Sequence, residues 1–178
     1  MAQTGGKPNG TDAEIRQQIA ALGDPSIDRR HAAVSALRDI GEAAVAPLIA
    51  AIAGAQDNDR RWYAAVALSR IGEPAIAPLI AAMAVHTSRD FRKYAAAALG
   101  EIGVPAIDSL IDAMGSDDRE LRGFLSQALC RIGKPAVEPL TLHLDDADEI
   151  IRSCAALTLW QMGETGIPAI VKNVQDEE

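Results

Sequence analysis

The sequence predicts an all-α solenoid of five helix pairs and a closing helix, and three observations predict it. An Ile-Gly or Met-Gly pair recurs at Ile40-Gly41, Ile71-Gly72, Ile102-Gly103, Ile132-Gly133 and Met162-Gly163, with periods of 31, 31, 30 and 30 residues between glycines. A fixed period of this size marks a stack of helical units, each resting on its neighbours rather than on one central core. An arginine stands eleven positions before every one of these glycines: Arg30, Arg61, Arg92, Arg122 and Arg152. The composition is 48% hydrophobic but only 3% aromatic, with alanine runs such as Ala95 to Ala98, so helices can approach closely and strands are not expected.

Taken in order, residues 1–10 are rich in Gly, Pro, Asn and Lys and read as a disordered leader. Thr11-Asp12-Ala13-Glu14 has the form of a capping box and opens a first helix running to about Leu22. Four positions before each arginine stand Ser26, Asp57, Ser88, Asp118 and Asp148, all good N-cap residues, and Asp28, Asp59, Asp90 and Glu120 follow in the first turn. This predicts second helices over 27–40, 58–71, 89–102, 119–132 and 149–162, each stopped by its glycine in a left-handed cap.

A shorter helix precedes each later one, with Pro47, Pro74, Pro78, Pro105, Pro135 and Pro139 suited to a first turn, where a missing N–H has no partner to lose. The units then run over 11–41, 42–72, 73–103, 104–133 and 134–163. A closing helix within 164–175 follows, whose Lys172, Asn173 and Gln175 suggest a solvated cap, and 176–178 read as a frayed acidic tail. Loops within the units absorb the one-residue change in period cheaply.

The net charge of -8 argues against a general nucleic-acid binder, which needs a basic face to displace counterions. The N-terminus lacks an apolar segment of signal-peptide type, and the apolar runs are too short to span a bilayer. The expectation is a cytoplasmic protein with no membrane contact. Cys130 and Cys154 form no metal-like spacing, in keeping with a reducing compartment. They fall on neighbouring helices about 9 Å apart along the axis at 1.5 Å per residue. Adding the helix spacing puts a disulfide out of reach.

Arg92-Lys93-Tyr94-Ala95-Ala96-Ala97-Ala98-Leu99-Gly100-Glu101-Ile102-Gly103 resembles the second helix of HEAT repeats of the short, bilin-lyase-like (PBS lyase) class, Val-Arg-x-x-Ala-Ala-x-Ala-Leu-Gly-x-Ile-Gly. The resemblance covers about residues 12 to 175. It implies a right-handed α-α superhelix, with first helices on the convex side and second helices lining a concave groove. It also implies that Arg30, Arg61, Arg92, Arg122 and Arg152 form a structural ladder paired with acidic groups of the turns and helix starts. Arg29 and Arg60 replace the usual apolar residue before the ladder arginine, and Leu125 with Ser126 interrupts the alanine pair.

Counting from the ladder arginine, columns three, six, seven and ten are apolar, as in Ala95, Ala98, Leu99 and Ile102, and form the buried stripe. Columns one, five and eight point the other way, with two and nine at the flanks. Five of the six aromatic residues occupy these variable columns: Trp62, Tyr63, Tyr94, Phe124 and Trp160. Tyr63, Tyr94 and Phe124 admit two readings, a ladder across the groove or packing between adjacent second helices. Val66, Leu157 and Cys154 extend the apolar set, and Arg38, Arg70, Lys93 and Arg131 against Asp39 and Glu101 make the face mildly basic. The partner-binding surface expected from these columns comprises Trp62, Tyr63, Val66, Arg70, Lys93, Tyr94, Phe124, Arg131, Leu157 and Trp160.

No phosphate loop, carboxylate pair or nucleophile array stands out. The hydroxylases that the resemblance brings in bind iron through His-Glu pairs. Here His31, His86 and His143 are followed by Ala32, Thr87 and Leu144. The expected function is a non-enzymatic module holding a protein or peptide with acidic and apolar groups, without catalytic residue, metal or cofactor. The alternative is a tetrapyrrole-handling protein of the bilin lyase or phycobilisome-degradation kind, in which the aromatic groove or a thiol holds the chromophore.

Overall fold

The computed structural model describes residues 10–176, all of whose regular structure is helical. They divide into two compact units, Met1–Ile71 and Gly72–Glu178. The first contains α1 (Gly10–Ala21), α2 (Ile27–Ile40), α3 (Val45–Gly54) and α4 (Asn58–Ile71). The second contains α5 (Ile76–Val85), α6 (Arg89–Ile102), α7 (Ile107–Ala113), α8 (Arg119–Ile132), α9 (Val137–Leu142), α10 (Glu149–Gln161) and α11 (Ile167–Asp176). The leader at 1–9 and the tail residues 177–178 lie outside the described residues.

The second helices begin and end within a residue of expectation because their cap chemistry is local. Asp118 Oδ1 accepts from the N–H groups of Glu120 at 2.9 Å and Leu121 at 3.0 Å. Asp148 does the same for Ile150, at 2.7 Å. Ser26 makes no such bond; instead Asp24 accepts from the Ser26 N–H at 2.8 Å. At the N-terminus the capping-box reading fails, since α1 starts at Gly10 and puts Thr11 inside the first turn.

Two further expectations need correction. The terminal glycines take positive φ, but Gly103 has ψ −139° at φ 82°, outside the left-handed helical region and open to glycine alone. That conformation lets Gly103 N donate to Leu99 O at 3.2 Å while its own carbonyl accepts from Ala106 N at 2.9 Å, so one residue both ends α6 and starts the next turn. The first helices α5, α7 and α9 are therefore each preceded by a 3-10 turn, Glu73–Ala75, Val104–Ala106 or Lys134–Ala136, which takes the leading proline. The α-helix proper begins at Ile76, Ile107 or Val137.

Apolar columns of both helix sets meet in the core. In the second unit Leu79, Met83, Leu99, Leu110, Ile111, Leu129 and Leu140 are fully buried, and in the first Leu37, Leu48, Ile52 and Leu68. Four of the ladder arginines fasten their second helix to the turn before it. Arg61 donates to Ala55 O at 2.5 Å, Arg122 to Ser116 O at 2.6 Å and Arg152 to Asp146 O at 2.5 Å. Arg92, completely buried, donates to Met83 O at 3.0 Å and His86 O at 2.9 Å. Acidic groups of the next helix start are partners as well: Arg30 reaches Asp59 at 3.0 Å, and Arg92 reaches Asp118 at 2.6 Å and Glu120 at 3.7 Å. Main-chain carbonyls at the turns accept from the ladder because these groups would otherwise be buried without donors.

Candidate functional site

On every second helix columns one and nine are exposed, and column five between them is half-buried on α2, α4 and α6 and exposed on α8 and α10. In the second unit these are Lys93, Ala97 and Glu101 on α6, Gly123, Gln127 and Arg131 on α8, and Ser153, Leu157 and Gln161 on α10. Column nine is thus a surface position in full, and column two is not. Tyr94 and Phe124 are only 8% and 7% exposed. Both are buried, which removes them from the expected groove surface. Gly100 at column eight of α6 leaves the space in which the Arg131 side chain of α8 lies. A Cβ at Gly100 would lie 2.7 Å from Arg131 Cδ.

Arg131 lies across that glycine and pairs with Glu101 at 2.7 Å. Arg38 pairs with Asp39 at the same distance. Two of the four expected groove cations are thereby neutralised. Arg70 and Lys93 keep exposed charges, and the Lys93 ammonium stands 5.7 Å from the Tyr94 ring centroid.

In the first unit α4 carries Trp62, 44% exposed, with Val66 half-buried and Arg70 exposed on the same face. Tyr63 is half-buried instead, its ring 5.8 Å from that of His31 and 4.8 Å from the Arg30 guanidinium carbon. In the second unit α10 presents Leu157 and Trp160, 52% and 64% exposed. Beside them a groove of about 250 Å³ lies between α8 and α10, with Arg119, Arg122, Gly123, Cys154, Leu157 and Gln161 in its walls. Gly123 faces open space there: a Cβ at this position would have nothing within 4 Å.

The groove is polar at one side. The hydroxyls of Ser126 and Thr158 lie 2.9 Å apart, and Ser126 donates to Gln161 Oε1 at 3.0 Å. Arg119 has no ionic partner among the described residues, so it brings a free cation to the rim. Cys130 and Cys154 are free and half-buried, and burial pushes both thiols up, leaving them protonated and weakly nucleophilic at neutral pH. Gly123, Arg119 and Gln161 were not expected from the sequence. The signal was present: column one reads His31, Trp62, Lys93, Gly123, Ser153, and a glycine in a variable helical column marks missing volume.

Among the described residues no three His, Cys, Asp or Glu side chains gather as a metal site requires, and no single helix is long and apolar enough to cross a membrane.

A family model described as HEAT repeats matches residues 15–100, 45–123 and 76–160, most of the chain. The chain belongs to the HEAT-repeat family. No curated protein matches it. Among solved structures this HEAT-repeat chain is similar to one in the complex of CpcE and CpcF of phycocyanin lyase from Nostoc sp. PCC7120. The identity there is 24%, over 83% of this chain and 98% of that one, at a TM-score of 0.44. An engineered protein is similar at 19% identity, over 92% of this chain and 86% of that one, at a TM-score of 0.34. Both likenesses concern the arrangement of helices.

Proposed function

We propose that this HEAT-repeat chain is a non-enzymatic interaction module whose second-helix face binds a protein or peptide segment bearing apolar and acidic groups. The observation that carries the reading is the pairing of exposed Leu157 and Trp160 with an open groove whose rim holds Arg119 and Arg122. Large exposed apolar side chains beside a concavity are the usual anchors of protein recognition, and tryptophan and arginine lead among them. Trp62, Val66 and Arg70 offer the same chemistry on α4, and Lys93 adds a charge on α6. Tyr63, Tyr94 and Phe124 support these surfaces from beneath.

The test is affinity capture from the native host with the wild-type chain and with a Leu157→Ser/Trp160→Ala variant. Both substitutions remove exposed groups, so thermal stability stays near wild type while partner capture is lost. Equal capture by the two chains would show that this face is not the site. A parallel titration with a bilin separates the tetrapyrrole reading, since a shifted absorption band at stoichiometric pigment would replace the peptide by a chromophore as occupant.

A further inference from the structure

The step from α6 to α8 and the step from α8 to α10 repeat each other at a spacing of 30 residues, with one exchange. At the first step Glu120, in the opening turn of α8, serves two arginines of α6. Arg89 Nε lies 2.9 Å from Glu120 Oε1, and Arg92 Nη1 lies 3.7 Å from Glu120 Oε2. In the first unit Asp59, in the same column of α4, takes the ladder arginine Arg30 at 3.0 Å. At the α8–α10 step both arginines return, as Arg119 and Arg122, but the carboxylate's column holds Ile150.

The two cations therefore keep their positions without their acid. Arg119 is exposed, and Arg122 is half-buried and held through Nη1 by Ser116 O at 2.6 Å. Neither forms an ion pair among the described residues. Asp148 caps α10 by accepting from the N–H groups of Ile150 and Ile151, but it does not repeat the contact that Asp118 makes with its ladder arginine. Both arginines line the groove of about 250 Å³ between α8 and α10. A guanidinium already fixed by one hydrogen bond presents its remaining fork to a carboxylate with little further ordering. Along the same groove Leu157 stands 7 residues beyond Ile150, a distance of about 10 Å at 1.5 Å per residue.

We infer that a glutamate or aspartate side chain of the partner takes the place at Arg119 and Arg122 that Glu120 takes at Arg89 and Arg92, an assignment that rests on the recognition proposed for this groove. An acid at position 150 would satisfy the pair from within the chain, whereas Ile150 leaves the charge to be met from outside. The bound segment lies with its acid at the start of α10 and a large apolar side chain on Leu157 and Trp160. An extended chain advances about 3.3 Å per residue, so about three residues separate the two groups.

Selection of phage-displayed random dodecapeptides on the full chain, followed by titration of the recovered peptides, tests this. Recovered peptides carry Glu or Asp at a fixed spacing from a large apolar residue, and replacing that acid by its amide weakens binding by about tenfold or more. Ile150→Glu, which returns the internal carboxylate, weakens binding to the same degree. Arg119→Gln, an exposed change that spares the fold, does likewise, while Arg89→Gln, at the equivalent but paired cation, leaves binding unchanged. Peptides that need Leu157 and Trp160 but bind alike with and without their acid, or alike to wild type and Arg119→Gln, overturn this assignment and leave the proposed function standing. An equal loss in Arg89→Gln also overturns it, since general attraction by positive charge would then suffice. Peptides indifferent to Leu157→Ser/Trp160→Ala, or a selection that recovers none, overturn both.

Discussion

Arg92 divides its guanidinium among Met83 O, His86 O and Asp118, joining the α5–α6 turn to the start of α8. Replacing it by methionine fills the space but strands two buried carbonyls and a carboxylate. We expect Arg92→Met to lose about 3 kcal/mol in urea unfolding. Arg92→Lys recovers little of that loss, since an ammonium cannot fork to three acceptors in different directions. Arg92 also sets an acid limit. Its hydrogen bond, and then the Leu121 N–H, hold the Asp118 carboxyl below the ordinary value of 3.8. A carboxyl depressed in the folded state contributes its stability above the unfolded value, and that contribution disappears as pH falls through the folded one. The acid limb of the stability curve should therefore shrink in Arg92→Met. An unchanged limb would assign the effect to Asp146, depressed by the Asp148 N–H and by His143.

At the scale of elements, the ends of the second helices were legible because caps and stop signals involve residues a few positions apart. The burial of Tyr94 and Phe124 was not. A helical wheel gives the angle of column two but not how near its neighbours stand, which is set by residues far apart in sequence. The 3-10 turns escaped for a related reason: prolines announce a helix start without specifying which hydrogen-bond ring follows. The fifth unit shows the limit of reasoning by columns. Its Gly166 stands where Ala44, Ala75, Ala106 and Ala136 stand elsewhere, all buried. By column logic Gly166→Ala should be welcome. A Cβ there, however, would come 2.1 Å from Leu159 O, a main-chain atom. The variant should lower stability by about 2 kcal/mol through forced separation of α10 and α11. A thermal midpoint at or above wild type would show that α11 docks differently.

On the scale of the molecule, an acidic chain sets exposed Leu157 and Trp160 beside a groove rim of cations. That combination calls for a partner with apolar and acidic groups rather than a second copy of the same face. Because the rim is positive, capture through the α8–α10 groove should weaken as salt is raised, and a partner held by apolar contact alone would not show this. The fold class, the repeat frame and the arginine column were all readable from periodic spacing. The groove itself was not, because it is made by the approach of two helices.

Gly123 allows the recognition claim to be tested without disturbing the fold. It is exposed, mid-helix and surrounded by open space. Gly123→Gln should therefore stabilise α8, by up to about 1 kcal/mol from helix propensity, while its side chain fills the groove between α8 and α10. The decisive measurement is the affinity of the captured partner for this variant, read by calorimetry beside the thermal midpoint. The account predicts a midpoint equal to or above wild type with binding weakened by about tenfold or more, the loss of one good contact. Wild-type affinity in a chain whose groove is filled would contradict it.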